Sequence, residues 1–403
     1  MNDTRREAGS SDADRVLPGA AIRRLRDVPY EAMLRLAAEI GPRGATSLAE
    51  AKAAAYLDGR LRRAGMHVSA DPFGGVVTSG WDGLLLGLLG LLAAALYFWL
   101  PVPSLLLALW SVALAAFLLR RGSNPLIGRR RMSQNVIATR AASEAPRRRV
   151  VLLAPLDSPP VLGGLGRALL AGWVPARRLA ACLLLALLAL VGLPALPLEL
   201  QRGLWYAQFL PAAYLLLIGA LEIDAMRGPY SPGAVCHAGA LAALLATAEE
   251  LEGLEYVELW AVALGAATAG GGLADLLRRY PFDREATLFV SLEGIGTGSL
   301  CFLSGGDAPR GLTADPPLLE AAHVAGASPQ IEAGPRVYRG GRTLAGTLRG
   351  RGLRSLAVTC LDAQGRMPLW ASADDTPERV DSALLDRAAH LAAGIVRHFD
   401  AAR

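Results

Sequence analysis

Charge is what this chain has least of. Acidic and basic residues together make up 19% of it, against 53% hydrophobic residues, and mean hydropathy is +0.34. Such a balance argues against a purely soluble protein. The four cysteines, Cys182, Cys236, Cys301 and Cys360, are scattered with no CxxC spacing, which excludes a disulfide framework and a zinc knuckle. No basic run carries interleaved aromatics for base stacking, so nucleic acid is excluded as a partner. The first residues, Met1–Arg15, are polar and lack the apolar core of a signal peptide; residues 1–20 are expected to form a disordered tail.

What the chain does have is two apolar blocks. Gly83–Leu119 contains no charged residue and is interrupted midway by Pro101-Val102-Pro103. A membrane pass needs ~20 apolar residues, so this block predicts a tight transmembrane hairpin over 83–119. Leu179–Leu198 and Gly203–Leu221, joined by Glu199-Leu200-Gln201-Arg202, predict a second over 179–221. Trp81, Trp99, Trp173 and Trp205 fall near the expected interfaces as an aromatic belt would. The net charge of +5 comes almost wholly from arginine, and Arg120, Arg121, Arg177 and Arg178 crowd the outer hairpin ends. That placement suits anionic lipid headgroups and puts the outer ends in the cytoplasm. The expectation is therefore a cell-membrane protein of four spans with membrane lipid as one partner and its polar segments (21–80, 120–165 and 229–403) together on the cytoplasmic side.

Those polar segments read as alternating helices and strands. Ser47–Glu50 is a capping box opening a helix that stops at Gly65, and His67-Val68-Ser69 is a short strand. Gln134–Arg140 and Val150–Ala154 are strands, the second an unbroken apolar run suited to a sheet centre. Ala238–Leu251 has amphipathic helical spacing; strands follow at Tyr256–Leu264, Ala286–Leu292 and Leu353–Cys360, and Thr376-Pro377 predicts the start of a long last helix. Gly270-Gly271-Gly272 lacks a following Lys-Ser/Thr and reads as a loop. The fold class is α/β, and in open α/β sheets functional side chains lie past the carboxyl ends of strands. Pro155, Leu156 and Asp157 hold that position after Val150–Ala154.

In order and spacing these segments resemble the zinc-dependent aminopeptidases of metallopeptidase family 28. The likeness runs through Leu48–Gly65, Asn135–Asp157, Ser231–Leu251, Glu258–Ala274, Phe289–Gly296 and Leu353–Phe399, with the Asp374-Asp375-Thr376-Pro377 signature. It implies a mixed-sheet sandwich of the phosphorylase/hydrolase-like kind, here carrying two inserted transmembrane hairpins, and a two-zinc centre whose bridging water is activated by a glutamate base. Carried over residue by residue, the ligand positions fall on Pro155, Cys236, Thr268, Glu293 and Ala371, and the base position on Ala267. The carboxylate following the first histidine position is kept as Asp157. Only Glu293 among the ligand positions has a carboxylate, so the resemblance implies a degenerate site: no cofactor is expected, and the function is that of a non-catalytic pseudopeptidase binding a peptide or protein partner, as nicastrin and the transferrin receptor are non-catalytic relatives. The rival expectation is an active metallo-aminopeptidase with zinc in a rearranged site around Cys236, His237 and Glu293. On bland readings Asp157 is a turn or cap residue, Glu293 is solvated or pairs with an arginine, and His390 and His398 are surface or interface residues.

Overall fold

The computed structural model describes residues 29–77, 81–97, 99–121, 127–163, 186, 197–307 and 312–402. The N-terminal tail, Trp173, Arg177, Arg178 and the first half of the second apolar block lie outside them.

After a π-helical turn at Arg35–Ile40, helix α1 spans Leu48–Arg63 and strand β1 spans His67–Val76. Ser47 caps α1, its hydroxyl accepting from Glu50 N at 3.1 Å. Two apolar helices follow, α2 (Trp81–Leu96) and α3 (Pro101–Arg121), then β2 (Arg130–Arg140) and β3 (Arg148–Pro155). Helices α4 (Leu198–Ala207) and α5 (Phe209–Arg227) complete the apolar part. The rest runs α6 (Gly239–Glu250), β4 (Val257–Leu264), α7 (Gly271–Arg279), β5 (Thr287–Leu292), β6 (Ser299–Gly305), α8 (Pro316–Gly326), β7 (Gly334–Val337), α9 (Leu344–Arg349), β8 (Ser355–Leu361) and α10 (Ser382–Ala401).

The strands form one mixed sheet in the order β1-β2-β4-β3-β5-β8-β6-β7. Its centre, β4-β3-β5-β8, is parallel, with Pro155 opposite Leu264, so the carboxyl ends of β3, β4 and β5 open on the same side. Buried Val150, Leu152, Leu259 and Val290 pack under α1, α6, α8 and α10 on one face. Val151, Leu153, Val262 and Phe289 pack under α7 and α9 on the other. Central strands covered on both faces are the reason their sequence shows apolar runs without alternation.

Several elements depart from expectation. β1 is ten residues long, continuing through Pro72, Gly74 and Gly75; it is an edge strand, where a missing N–H costs no ladder bond. The last helix begins at Ser382 with Asp381 as its cap, and Pro377–Arg379 is a separate 3₁₀ turn. Gly270 is left-handed (φ +72°) and opens α7 rather than continuing a loop. α6 is buried nearly all round, because α10 covers the side that its pattern left polar-poor. Residues 297–352, without periodic signal, hold β6, α8, β7 and α9.

α2, α3 and α5 pack together through small residues. Buried Ala93, Ala108 and Ala212 form the contact with Leu215. α2 and α5 are antiparallel and so close that a Cβ on Gly87 would lie 2.8 Å from Leu216 N, and one on Gly219 2.6 Å from Leu84 N. The Ser104 hydroxyl donates to Ala93 O at 2.6 Å. Outside, Trp99, Leu106, Leu109, Trp110 and Leu210 are exposed. One helical stretch among the described residues, Leu198–Ala225, is long and apolar enough to cross a membrane. The apolar helices of the first hairpin, Leu84–Leu96 and Val102–Leu114, fall short of that length, so the structure does not supply the expected two complete hairpins or a count of four spans.

Candidate functional site

Three segments meet beyond the carboxyl ends of β3, β4 and β5, and the turn after β4 organises them. Its four consecutive amides, Gly265 to Thr268, are each taken by a side chain. Asn135 Oδ1 accepts from Gly265 N at 3.1 Å and Glu50 Oε1 from Ala266 N at 2.6 Å. The Asp157 carboxylate accepts from Ala267 N at 2.8 Å and Thr268 N at 3.1 Å, and also from the Thr268 hydroxyl. Ala266 sits at φ +42°, a left-handed conformation that an L-residue adopts only when its surroundings impose it. Successive N–H groups in such a turn form an anion-binding concavity. Here the anions are the chain's own carboxylates.

Sequence reasoning missed Glu50 as a site residue because it also satisfies the capping-box pattern of α1. Its second oxygen accepts from Thr46 N (2.7 Å) and the Ser133 hydroxyl (3.0 Å). Burial, with the Asp157 charge nearby, pushes Glu50 up to about 7. Burial likewise raises Asp157 to about 6, against the pull of the Thr268 and Ala267 hydrogen bonds. Rather than closing its own turn, the Asp157 carboxylate holds the distant turn at Ala267-Thr268.

Arg43 was also missed. It is wholly buried, and its guanidinium donates to five backbone carbonyls, those of Leu36, Gly41, Leu156, Pro232 and Gly233. Its backbone exchanges bonds with Ser158, Arg43 N donating to Ser158 Oγ at 2.9 Å and Ser158 N to Arg43 O at 2.7 Å. Desolvation lowers the guanidinium to about 10, with the charges of Asp375 and Asp157 opposing it. No pattern signals such a residue: a single arginine between Pro42 and Gly44 looks like loop surface.

Asp375, part of the signature quoted above, holds the turn that carries Cys236. It accepts from Val235 N at 2.6 Å and Cys236 N at 3.2 Å. The Cys236 thiol lies 3.7 Å from Leu369 O, and burial together with Asp375 pushes its pKa well up. The neighbouring His237 ring turns the other way and pairs through Nδ1 with the Asp157 carbonyl; burial holds it down to about 4, as a neutral imidazole. Glu293, partly buried, accepts from the Ser291 hydroxyl and from Leu344 N at the start of α9, both at 2.8 Å. Burial raises it to about 7. Of the two expectations for it, solvation or an arginine partner, no arginine pairs with it among the described residues. Ala371 is buried in a left-handed conformation (φ +54°), its carbonyl accepting from Leu162 N at 2.9 Å. His390, as expected, is exposed and pairs with Glu250 at 2.9 Å.

These residues do not fit a two-zinc centre. Pro155, Ala267 and Ala371 offer no side-chain donor, the Thr268 hydroxyl is spent on Asp157, and the Cys236 thiol is held protonated. The rearranged set is not assembled either, because Cys236 and His237 face different partners. Among the described residues no three His, Cys, Asp or Glu side chains form a metal-holding group.

The second apolar block is rooted at this site. Val161 N donates to Pro229 O and Ser231 N to Pro159 O, both at 2.9 Å, joining the segment that leaves β3 to the one returning from α5. Ala225, in the last turn of α5, packs with Leu162 against Ala371 and Trp370.

No protein-family model and no curated protein matches the chain. Solved structures do. An aminopeptidase from Aneurinibacillus sp. strain AM-1 is 14% identical, with a TM-score of 0.54 over 93% of either chain. A zinc aminopeptidase from Bacillus subtilis is 12% identical, TM-score 0.55, over 94% of this chain and 96% of its own. A glutaminyl cyclase from Bacteroides thetaiotaomicron is 13% identical, TM-score 0.52, over 92% and 97%. At such identities the likeness establishes the fold: the chain has the mixed α/β architecture of the zinc aminopeptidases.

Proposed function

We propose that this chain is a membrane-anchored pseudopeptidase, a non-catalytic member of the aminopeptidase fold that binds a peptide or protein partner. The observation that carries the reading is the turn at Gly265–Thr268. By the sequence resemblance this turn carries the positions of the base and one metal ligand, Ala267 and Thr268, and its amides are taken by Asp157 and Glu50. General-base catalysis typically contributes ~10²–10⁴-fold, and metal activation of water adds to that; Ala267, at the position the resemblance gives to the base, has no group to supply the first.

Purified without chelator, the protein should hold well under one zinc per chain and cleave aminoacyl-anilides at background rate. Glu293→Ala and Asp157→Ala should leave that rate unchanged. Stoichiometric zinc that survives dialysis, with turnover that Glu293→Ala abolishes, would instead establish the rival, an active metallo-aminopeptidase.

The anchoring reading is supported by the charge-free block, the glycine-mediated contact of α2 and α5 and the exposed leucines and tryptophans of the bundle. Small residues at close helix contacts are the pattern of helices that associate in lipid. The proposed arrangement remains two hairpins and four spans in the cell membrane, with the α/β part cytoplasmic. Its test is labelling of intact cells with an impermeant thiol reagent. A Val102→Cys variant should label and an Ala373→Cys variant should not; the reverse pattern inverts the topology. Ala373 is exposed and so open to the reagent.

A further inference from the structure

The base of the helix bundle carries a patch that the peptidase-like site does not use. β2 pairs with β1 from its first residue, Arg130 lying opposite Val76, and Val77 N donates to Arg129 O at 2.9 Å. Arg129, Arg130, Arg131 and Met132 are nevertheless all exposed, so this end of the ribbon projects past the helices that cover the rest of the sheet. Met132 is 67% and Ile127 43% exposed. Ile127 N donates to Asp82 Oδ1 at 3.0 Å, which fixes the segment before the arginines to the first turn of α2. None of the three arginines has an ion-pair partner among the described residues. The patch thus sits where α2 begins and close in sequence to the end of α3 at Arg121. At the opposite tip of that hairpin, exposed Trp99, Leu100 and Val102 carry no charge.

We infer that the ribbon end Arg129–Met132 is a docking surface for the anionic headgroup layer of a phospholipid bilayer, with the three guanidiniums on lipid phosphates and Ile127 and Met132 in the apolar boundary beneath. The inference rests on the membrane-anchored reading and deepens it, since it names the lipid class that the anchored chain selects. Guanidiniums match phosphate geometry through paired N–H donors. The two flanking apolar side chains, and the helices that start and end beside the patch, favour a lipid surface over a free polyanion. Alternation along β2 puts Arg129 and Arg131 on one face and Arg130 with Met132 on the other, so the ribbon end presents charge on both sides, as an element dipping edge-on into a headgroup layer requires.

The test uses the full chain reconstituted in phosphatidylcholine vesicles containing trace spin-labelled phosphatidylglycerol or, separately, spin-labelled phosphatidylcholine. Each surface arginine is worth roughly a factor of five in attraction to an anionic surface. The wild-type chain should therefore immobilise the labelled phosphatidylglycerol in preference, by about tenfold or more for three arginines, and 1 M NaCl should screen the preference away. Arg129→Gln, Arg130→Gln and Arg131→Gln together should abolish it. The corresponding triple lysine variant should retain it, which separates loss of charge from loss of fold. Equal immobilisation of both lipids by the wild type overturns the inference, as does a preference that survives the triple glutamine variant or is lost in the lysine variant. A chain that fails to float with the vesicles overturns the membrane reading, and the inference with it; a chain that floats without lipid preference overturns the inference alone.

Discussion

The polar site beside β3 and the apolar bundle of α2, α3 and α5 bury polar groups by opposite means. In the site, Asp157, Glu50 and Asp375 are each met by two or more donors, and Arg43 by five acceptors. In the bundle, Gln208 is wholly buried, yet neither side-chain polar atom has a hydrogen-bond partner among the described residues, and large apolar side chains face outward. Buried charge in a water-facing fold survives only when its neighbours answer it. The site's buried charges tie together segments of the α/β part, whereas the bundle leaves Gln208 unanswered among the described residues and turns large apolar side chains outward.

The largest effect should come from removing one of these buried charges. Arg43→Ala strands five carbonyls and leaves Asp375 without its nearest cation; breaking a buried charged network of this kind costs about 3–5 kcal/mol, read as a loss in denaturant or thermal stability. Asp157→Ala leaves the Ala267 and Thr268 amides unanswered and should cost less, about 2–4 kcal/mol. A loss under 1 kcal/mol for both would mean that water replaces these partners, and that the site is still a solvated cleft.

Next in size is the bundle contact. Gly219→Leu drives a side chain into the α2 backbone, and overpacking at such a contact costs about 1–3 kcal/mol. The thermal midpoint in detergent should drop, while the near-ultraviolet signature of the α/β part persists. If the α/β part unfolds with the bundle, the two regions are one cooperative unit and the contrast between them loses its meaning.

The smallest effect is on pH dependence. Glu50 and Glu293 are raised to about 7 and Asp157 to about 6, from ordinary values of 4.5, 4.5 and 3.8. Between those limits the folded chain holds protons that the unfolded chain has released, so stability falls as pH rises through the folded values. His237, lowered from 6.5 to about 4, acts in the opposite sense below pH 6.5, because there the unfolded chain binds the extra proton. The two glutamates outnumber it, so the midpoint should be higher near pH 5.5 than near pH 8, and Glu50→Gln should flatten the slope. A midpoint that rises toward pH 8 contradicts the assignment.

The sheet centre was legible because its strands are apolar throughout, and the site's position followed from strand polarity alone. Asp157, Cys236, Thr268 and Glu293 were singled out in the sequence as positions carried over from the family resemblance. What they bond to was not legible, since the partners are backbone amides and carbonyls, which every sequence has in equal measure. The roles of Arg43, Glu50, Asn135 and Asp375 stayed hidden for the same reason: each is defined by contacts between segments far apart in the chain. The number of spans was less legible: hydropathy marks apolar blocks, and among the described residues one helical stretch, Leu198–Ala225, is long and apolar enough to cross a membrane.

The placement of the two apolar blocks also sets an order of assembly. β3 pairs with β4 along its whole length, yet the entire second block is made between them; β1 and β2 are divided in the same way by the first. Contacts of such long sequence separation form slowly, and unpaired apolar strands are prone to aggregation meanwhile. Val150–Ala154 must therefore wait, shielded, until the second block has been synthesised and put in place. The sheet is therefore expected to close only after both apolar blocks have been made.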